Sequence, residues 1–249
     1  MAAALLVLVS CIPQKKGVYL QDAERHQGKA YPMAPPPEYR IRPGDNLFIR
    51  VTGWDAKTFD FFNPGRNTGE QGGMGDSWFY FNGYPVDEGG QVNLPVLGGV
   101  KVGGLNLTEA TDTVQRRVDG YLVGGRVSLR LANFSVTVLG EVGAPGRINV
   151  FDDQVTIFDV LSQCGDITLT GDRTRVSLVR QQGDTAYTYT LDLTQAHMLS
   201  NELLYLQPDD LIYVEPVRAR IFSWNAAQTG GILSLVLSAI TLISLLTLR

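Results

Sequence analysis

Residues 221–248, IFSWNAAQTGGILSLVLSAITLISLLTL, hold no charged side chain. No other stretch limits so tightly what this chain can fold into. Gly230 to Leu248 would make a helix about 28 Å long at ~1.5 Å per residue, just enough to span the hydrocarbon layer of a bilayer. Arg218 and Arg220 flank one end and Arg249 the other, and Trp224 stands where an interfacial aromatic would sit. A helix buried in a globular core is the rival reading, but the run is long for one. The pattern therefore predicts a membrane-spanning helix within 218–249. Charged residues are 18% of the chain, where soluble domains average about 25%, and the shortfall lies at the two ends.

The run is weakly amphipathic. On a helical projection Ala227, Gly231, Ser234, Ser238 and Thr241 share one stripe, and Ile232, Val236, Ala239, Ile243 and Leu246 the opposite one. In a membrane, small and hydroxylated residues mark either close helix packing or a wet surface. Both readings stand at this point. On the wet reading several copies meet around a lumen lined by Ser234, Ser238 and Thr241, with Ile232, Val236, Ile243 and Leu246 toward lipid. On the other, the stripe is a packing seam in a tight dimer. Leu245 interrupts the stripe near its tip.

The second apolar run is AAALLVLVS, residues 2–10, with Cys11 directly after it. Leu8-Val9-Ser10-Cys11 resembles the bacterial lipobox, in which the Cys becomes the first mature residue and its thiol takes a diacylglyceryl group. This makes 1–10 a lipoprotein signal peptide and Cys11 the lipid attachment site. The rival is a short signal h-region with a chance Cys. No Lys or Arg precedes the run, so either the true start lies upstream or the signal is atypical. Ile12 stands where an Asp would mark retention at the inner membrane, so an outer-membrane anchor is expected. Residues 11–37 are polar and Pro-rich, and read as a tether rather than a fold. Lipidation of Cys11 leaves Cys164 alone, which in an oxidising periplasm predicts a buried thiol.

Between the ends lie two β-rich modules, 38–132 and 133–217, with helices that make the whole α+β. In the first, Pro43-Gly44-Asp45 is a turn, and Leu47, Ile49 and Val51 alternate as a half-buried strand. A hairpin is expected around Glu88-Gly89-Gly90. Thr108 is the expected N-cap of a helix from Glu109 to about Tyr121, with Val114, Val118 and Tyr121 on its buried face. Arg126–Arg130 is another strand. In the second, Phe134, Val136 and Val138 alternate. Thr156 and Asp159 form a capping box with Val155 and Val160 as its staple. Ile157, Val160, Leu161 and Cys164 face inward on a short helix that Gly165 stops. Strands follow near 175–180 and 187–193. Gln207-Pro208-Asp209-Asp210 then feeds Leu211–Val214, as Arg42-Pro43-Gly44-Asp45 feeds Leu47–Val51. A strand, a crossing helix and further strands point to a β-grasp-like unit.

Tyr39–Val51 and Gly90–Ala110 resemble the polysaccharide-export domain of the outer-membrane, Wza-type export lipoproteins. They carry its Y-x-I-x-P-G-D-x-L opening and its G-x-V-x-L-P block with a G-L-x-x-x-E-A sequel. Val136–Gly146 and Ile157–Gly165 resemble the soluble-ligand-binding β-grasp domain of the same family. The resemblance implies a homo-oligomeric ring, typically an octamer, whose C-terminal helices line a pore through the outer membrane. It implies a capsular or extracellular polysaccharide as cargo, an inner-membrane polysaccharide co-polymerase as partner, and a bulk that sits in the periplasm. Long members carry two β-grasp modules, and this chain has room for one. The segment 54–84 is rich in Gly and aromatics, which suit core and subunit contacts better than sugar stacking.

The residues argue against several other classes. Net charge is −4, and no basic stripe for nucleic acid appears. His26 and His197 stand apart from any metal-ligand spacing, and no phosphate loop or nucleophile elbow is present. No catalytic residue, cofactor or metal is expected, and the chain reads as a transporter rather than an enzyme. Two rivals remain. One is a carbohydrate-binding or scaffolding outer-membrane lipoprotein without a pore. The other is glycan hydrolysis by paired carboxylates drawn from Glu38, Asp45, Asp87 and Glu88.

Overall fold

The computed structural model describes residues 17–21, 30–53, 62–63, 82–217 and 238. The first module is built on β1 (Asn46–Thr52), which lies between β2 (Tyr84–Pro85) and β5 (Arg126–Leu131), both antiparallel to it. Its alternation sends Leu47, Ile49 and Val51 into the core, as expected. A separate hairpin pairs β3 (Gln91–Leu94) with β4 (Gly98–Lys101). The Glu88–Gly90 segment does turn, through Gly90 N to Asp87 O at 2.8 Å. It leads into β3, however, and the ladder hairpin turns at Pro95–Leu97 instead.

Helix α1 (Leu107–Asp119) is capped by Asn106, not by Thr108. Both residue types cap well, and Glu109 decides between them. Its amide donates to Asn106 Oδ1 at 2.7 Å, and its carboxylate accepts from Asn106 N at 3.1 Å. The helix therefore starts and ends two residues early. Tyr121 falls beyond Gly120 and is exposed, and Ala110 joins Val114 and Val118 on the buried face. Phe62 is buried in this core and Tyr84 packs against it. The other aromatics of 54–84 lie outside the described residues.

The second module is one five-stranded sheet in the order β7-β6-β10-β8-β9. The strands are β6 (Ser135–Gly140), β7 (Gly146–Asn149), β8 (Gly171–Gln182), β9 (Thr185–Leu191) and β10 (Leu211–Pro216). Central β6 and β10 run parallel, and the remaining pairs are antiparallel. Helix α2 (Ile157–Gln163) has the expected capping box of Thr156 and Asp159. Val155, Ile157, Val160, Leu161 and Cys164 are all buried beneath it with Val136, Val138, Val176, Leu178, Ile212 and Val214. Gly165 ends it at φ +73°. Burial pushes the Cys164 thiol above its ordinary value.

Leu131 at the end of β5 packs against both cores. Ala132 N donates to Asn46 O at 2.7 Å, and Asn46 N donates to Asn133 Oδ1 at 3.1 Å. Phe134 is already in the second core. Every residue between the modules is thus bonded or packed. The stretch read as a tether also touches the fold. Leu20 N and Gln21 N donate to Leu193 O and Thr194 O at 3.3 and 2.8 Å, and Ala34 is buried. Tyr19 and Ala34 give a polar stretch enough apolar surface to dock.

Candidate functional site: the crevice between the modules

A crevice of about 160 Å³ opens where the two modules meet. Phe48 reaches it because β1 alternates: its neighbours Leu47 and Ile49 face the core, so Phe48 faces the second module. Phe134, Phe151 and Tyr205 line it from the other side, and Pro36, Pro37 and Tyr39 close one end. Phe151 is exposed, as are Asp152 and Asp153 beside it. The lining is thus aromatic, with carboxylates at the rim.

Two similar turns flank the crevice. In the first, Asp45 N donates to Arg42 O at 3.2 Å, and Asp45 Oδ2 accepts from Arg42 N at 2.8 Å. In the second, Asp210 N donates to Gln207 O at 3.2 Å, and Asp210 Oδ2 accepts from Gln207 N at 2.7 Å. Gly44 takes the left-handed position in one at φ +91°, and Asp209 takes it in the other at φ +64°. The echo read in the sequence is therefore one bonded device used twice. Its Asp residues meet different partners. Tyr39 Oη donates to both Asp45 oxygens at 3.0 and 2.8 Å, and the Arg42 guanidinium lies 5.4 Å from the Tyr39 ring centroid. Asp210 receives Arg180 Nε at 3.0 Å and Nη2 at 2.7 Å.

Burial raises the Asp45 carboxyl above its ordinary value, and the bonds from Arg42 N and Tyr39 only partly offset this. The phenol of Tyr39 is pushed well up, chiefly by burial and then by the Asp45 charge. A carboxyl raised in the fold binds its proton more tightly there than in the unfolded chain. Its contribution is full below the unfolded value and is lost as pH rises through the folded one. Wild type should thus gain stability relative to Asp45→Asn as pH falls from 7 toward about 4. Denaturant midpoints of both proteins across that range check this, and a difference that shrinks or stays flat on acidification refutes it.

Of the carboxylates weighed for glycan cleavage, Asp45 is held in its turn, and Glu38 and Asp87 are also engaged locally. Glu38 accepts from Arg40 at 2.8 Å and also bonds Asn106, and Asp87 Oδ1 accepts from Gln91 N at 2.8 Å. Among the described residues no group of three His, Cys, Asp or Glu could hold a metal ion. What the crevice offers is aromatic faces, the rim carboxylates Asp152 and Asp153, and donors from Arg130, Gln154 and Gln207. Of the residues expected to carry function, Cys11, Ile232, Ser234, Val236, Thr241, Ile243 and Leu246 lie outside the described residues. Ser238 is helical and exposed. Among the described residues no helix is long and apolar enough to cross a membrane. The crevice aromatics escaped the sequence reading. Phe48, out of phase with its strand's buried set, was the available signal.

Residues 33–132 match the family described as "Polysaccharide biosynthesis/export protein", and residues 135–214 match the SLBB domain. The chain is similar to "EPS I polysaccharide export outer membrane protein EpsA" of Ralstonia nicotianae, 29% identical over 187 residues, covering 71% of this chain and 47% of that protein. Its counterpart from Ralstonia solanacearum is 27% identical over 184 residues, covering 72% and 48%. The chain thus spans about half the length of the relatives it matches. Export module, SLBB module and the order in which they follow agree with the sequence reading, and the chain belongs to the Wza-type polysaccharide export family.

Proposed function

We propose that this chain is a subunit of a homo-oligomeric ring, octameric by the family pattern, that passes a capsular or extracellular polysaccharide through the outer membrane. The observation that carries this is the export module joined directly to an SLBB module, in a chain similar to proteins named for polysaccharide export at the outer membrane. At about 160 Å³ the crevice is smaller than the ~300–1,000 Å³ of ordinary ligand pockets. A polymer needs a wider passage, which copies of the chain enclose together. Cys11 is acylated and anchors the N-terminus, the two modules stand in the periplasm, and an inner-membrane co-polymerase delivers the cargo. The second module is β-grasp-like. Its parallel central pair, flanked by the hairpins β6–β7 and β8–β9 with one helix across the sheet, supports that reading.

The C-terminal helices form the membrane wall, with Ser234, Ser238 and Thr241 toward the lumen and Ile232, Val236, Ile243 and Leu246 toward lipid. Single Cys substitutions along 231–246, in a Cys164→Ala background, test it. A membrane-impermeant thiol reagent should label 234, 238 and 241 and spare 232, 236 and 243. Equal protection of both faces would mean a packed seam and would remove the pore.

A further inference from the structure

Tyr19 sits in a socket made by three parts of the second module. Its ring meets Phe158 of α2 edge-on, with centroids 5.7 Å apart at 85°. The Arg173 guanidinium of β8 lies over the ring, 4.8 Å from its centroid. The phenol donates a short hydrogen bond to Asp166 Oδ1. Arg173 is only 4% exposed. Its Nη2 donates to Ile167 O at 2.6 Å and lies 3.4 Å from Asp166 Oδ2, and its Nη1 reaches Thr168 O at 3.4 Å. Its Nε is buried with no hydrogen-bond partner. A buried N–H left unpaired is costly, and the electron-rich face of the Tyr19 ring is the compensation this guanidinium has.

We propose that this socket is a tyrosine-selective binding site that clamps the chain's own N-terminal segment reversibly. The second core closes without Tyr19, which only packs against its edge. Val18 is exposed, and Leu20 is held at φ +49°, a left-handed conformation that a Leu adopts only at a cost. Lifting the ring lets water reach the empty Nε of Arg173, so release is compensated as well as docking. Tyr is the side chain that fits, because Phe lacks the donor for Asp166 and Leu lacks the π face for Arg173.

The consequence for reach rests on the proposed acylation of Cys11. Clamped at Tyr19, a chain counted at full extension from Cys11 would hold the second module within about 28 Å of the anchor; released, a chain free as far as the buried Ala34 would reach about 80 Å. The clamp itself is testable without the lipid. Hydrogen exchange on the full chain in detergent should show the Leu20 and Gln21 amides slowed by about tenfold or more against Tyr19→Ala, with Tyr19→Phe between them. Equal protection of the β8 amides in all three confirms an intact fold. A synthetic peptide of residues 14–24 should bind Tyr19→Ala and not wild type, whose socket is filled. Unchanged exchange at Leu20 and Gln21, or no preference of the peptide for the variant, overturns the clamp. Repeating the exchange in Cys11→Ser separates this outcome from a failure of the anchor.

Discussion

Asp210→Ala should lower the unfolding free energy by about 3–5 kcal/mol, the range for removing one partner of a buried ion pair. Asp210 and Arg180 are 1% and 5% exposed at their side chains, and two hydrogen bonds join them. Arg180 also donates from Nη2 to Tyr205 O at 2.9 Å, and Asp210 holds the turn that starts β10. Truncation leaves the guanidinium charged and dry with one carbonyl for company. It also frees the turn that aligns β10 between β6 and β8. The neighbouring pair Arg147–Asp209 makes the control. It is 3.6 Å apart with both side chains about two-thirds exposed, so Asp209→Asn, which keeps a residue type suited to the left-handed φ of +64°, should cost at most about 1 kcal/mol through lost charge. Denaturant unfolding followed by near-ultraviolet dichroism measures both. Equal losses in the two variants would mean that burial does not govern this pair.

Gly140→Ala should cost at least about 3 kcal/mol, from a left-handed alanine together with displaced sheet hydrogen bonds. Gly140 stands at the end of β6 at φ +91°. A Cβ there would fall within the radius of Val214 O and only 3.0 Å from its carbonyl carbon. Val214 is the β10 residue opposite Gly140, and its carbonyl accepts from Glu141 N at 3.1 Å. The atom in the way is backbone, so no side chain can swing aside. The parallel pair at the centre of the sheet must shift instead. Gly146→Ala, where an added Cβ meets nothing within 4 Å, should be close to neutral. A mild effect at Gly140 would mean that the β6–β10 register is looser than these contacts indicate.

Local chemistry was legible in the sequence, and tertiary choice was not. Leu47, Ile49 and Val51 announce a strand because alternation alone places them on one face. Thr156 and Asp159 announce a helix start because both halves of the cap lie within four residues. Where two local solutions competed, the longer motif decides: Asn106 and Thr108 can both cap, and Glu109, three residues after Asn106, completes a capping box with Asn106 alone. Tyr121 was assigned to a face that the helix does not live long enough to form. Nothing local marks Arg180 and Asp210 as partners, since burial of a charge depends on what packs around it. The crevice was hidden for the same reason. Phe48, Phe134, Phe151 and Tyr205 come from distant segments and become one lining only when the modules meet. Tyr19 lay in a stretch whose composition argued against any fold at all.

The bonded link between the modules has a mechanical meaning. A hinge needs a few residues whose backbone can rotate without breaking anything. Between Leu131 and Ser135 there are none to spare. Leu131 is shared by two cores, Ala132 and Asn133 are both pinned to Asn46, and Phe134 is buried. Bending at this point must tear apolar packing and two hydrogen bonds at once. The two modules therefore move as one stave: a load applied to one arrives at the other as tilt. In the proposed ring, a passage bounded by such staves would widen by rocking whole subunits against their neighbours, not by flexing within one.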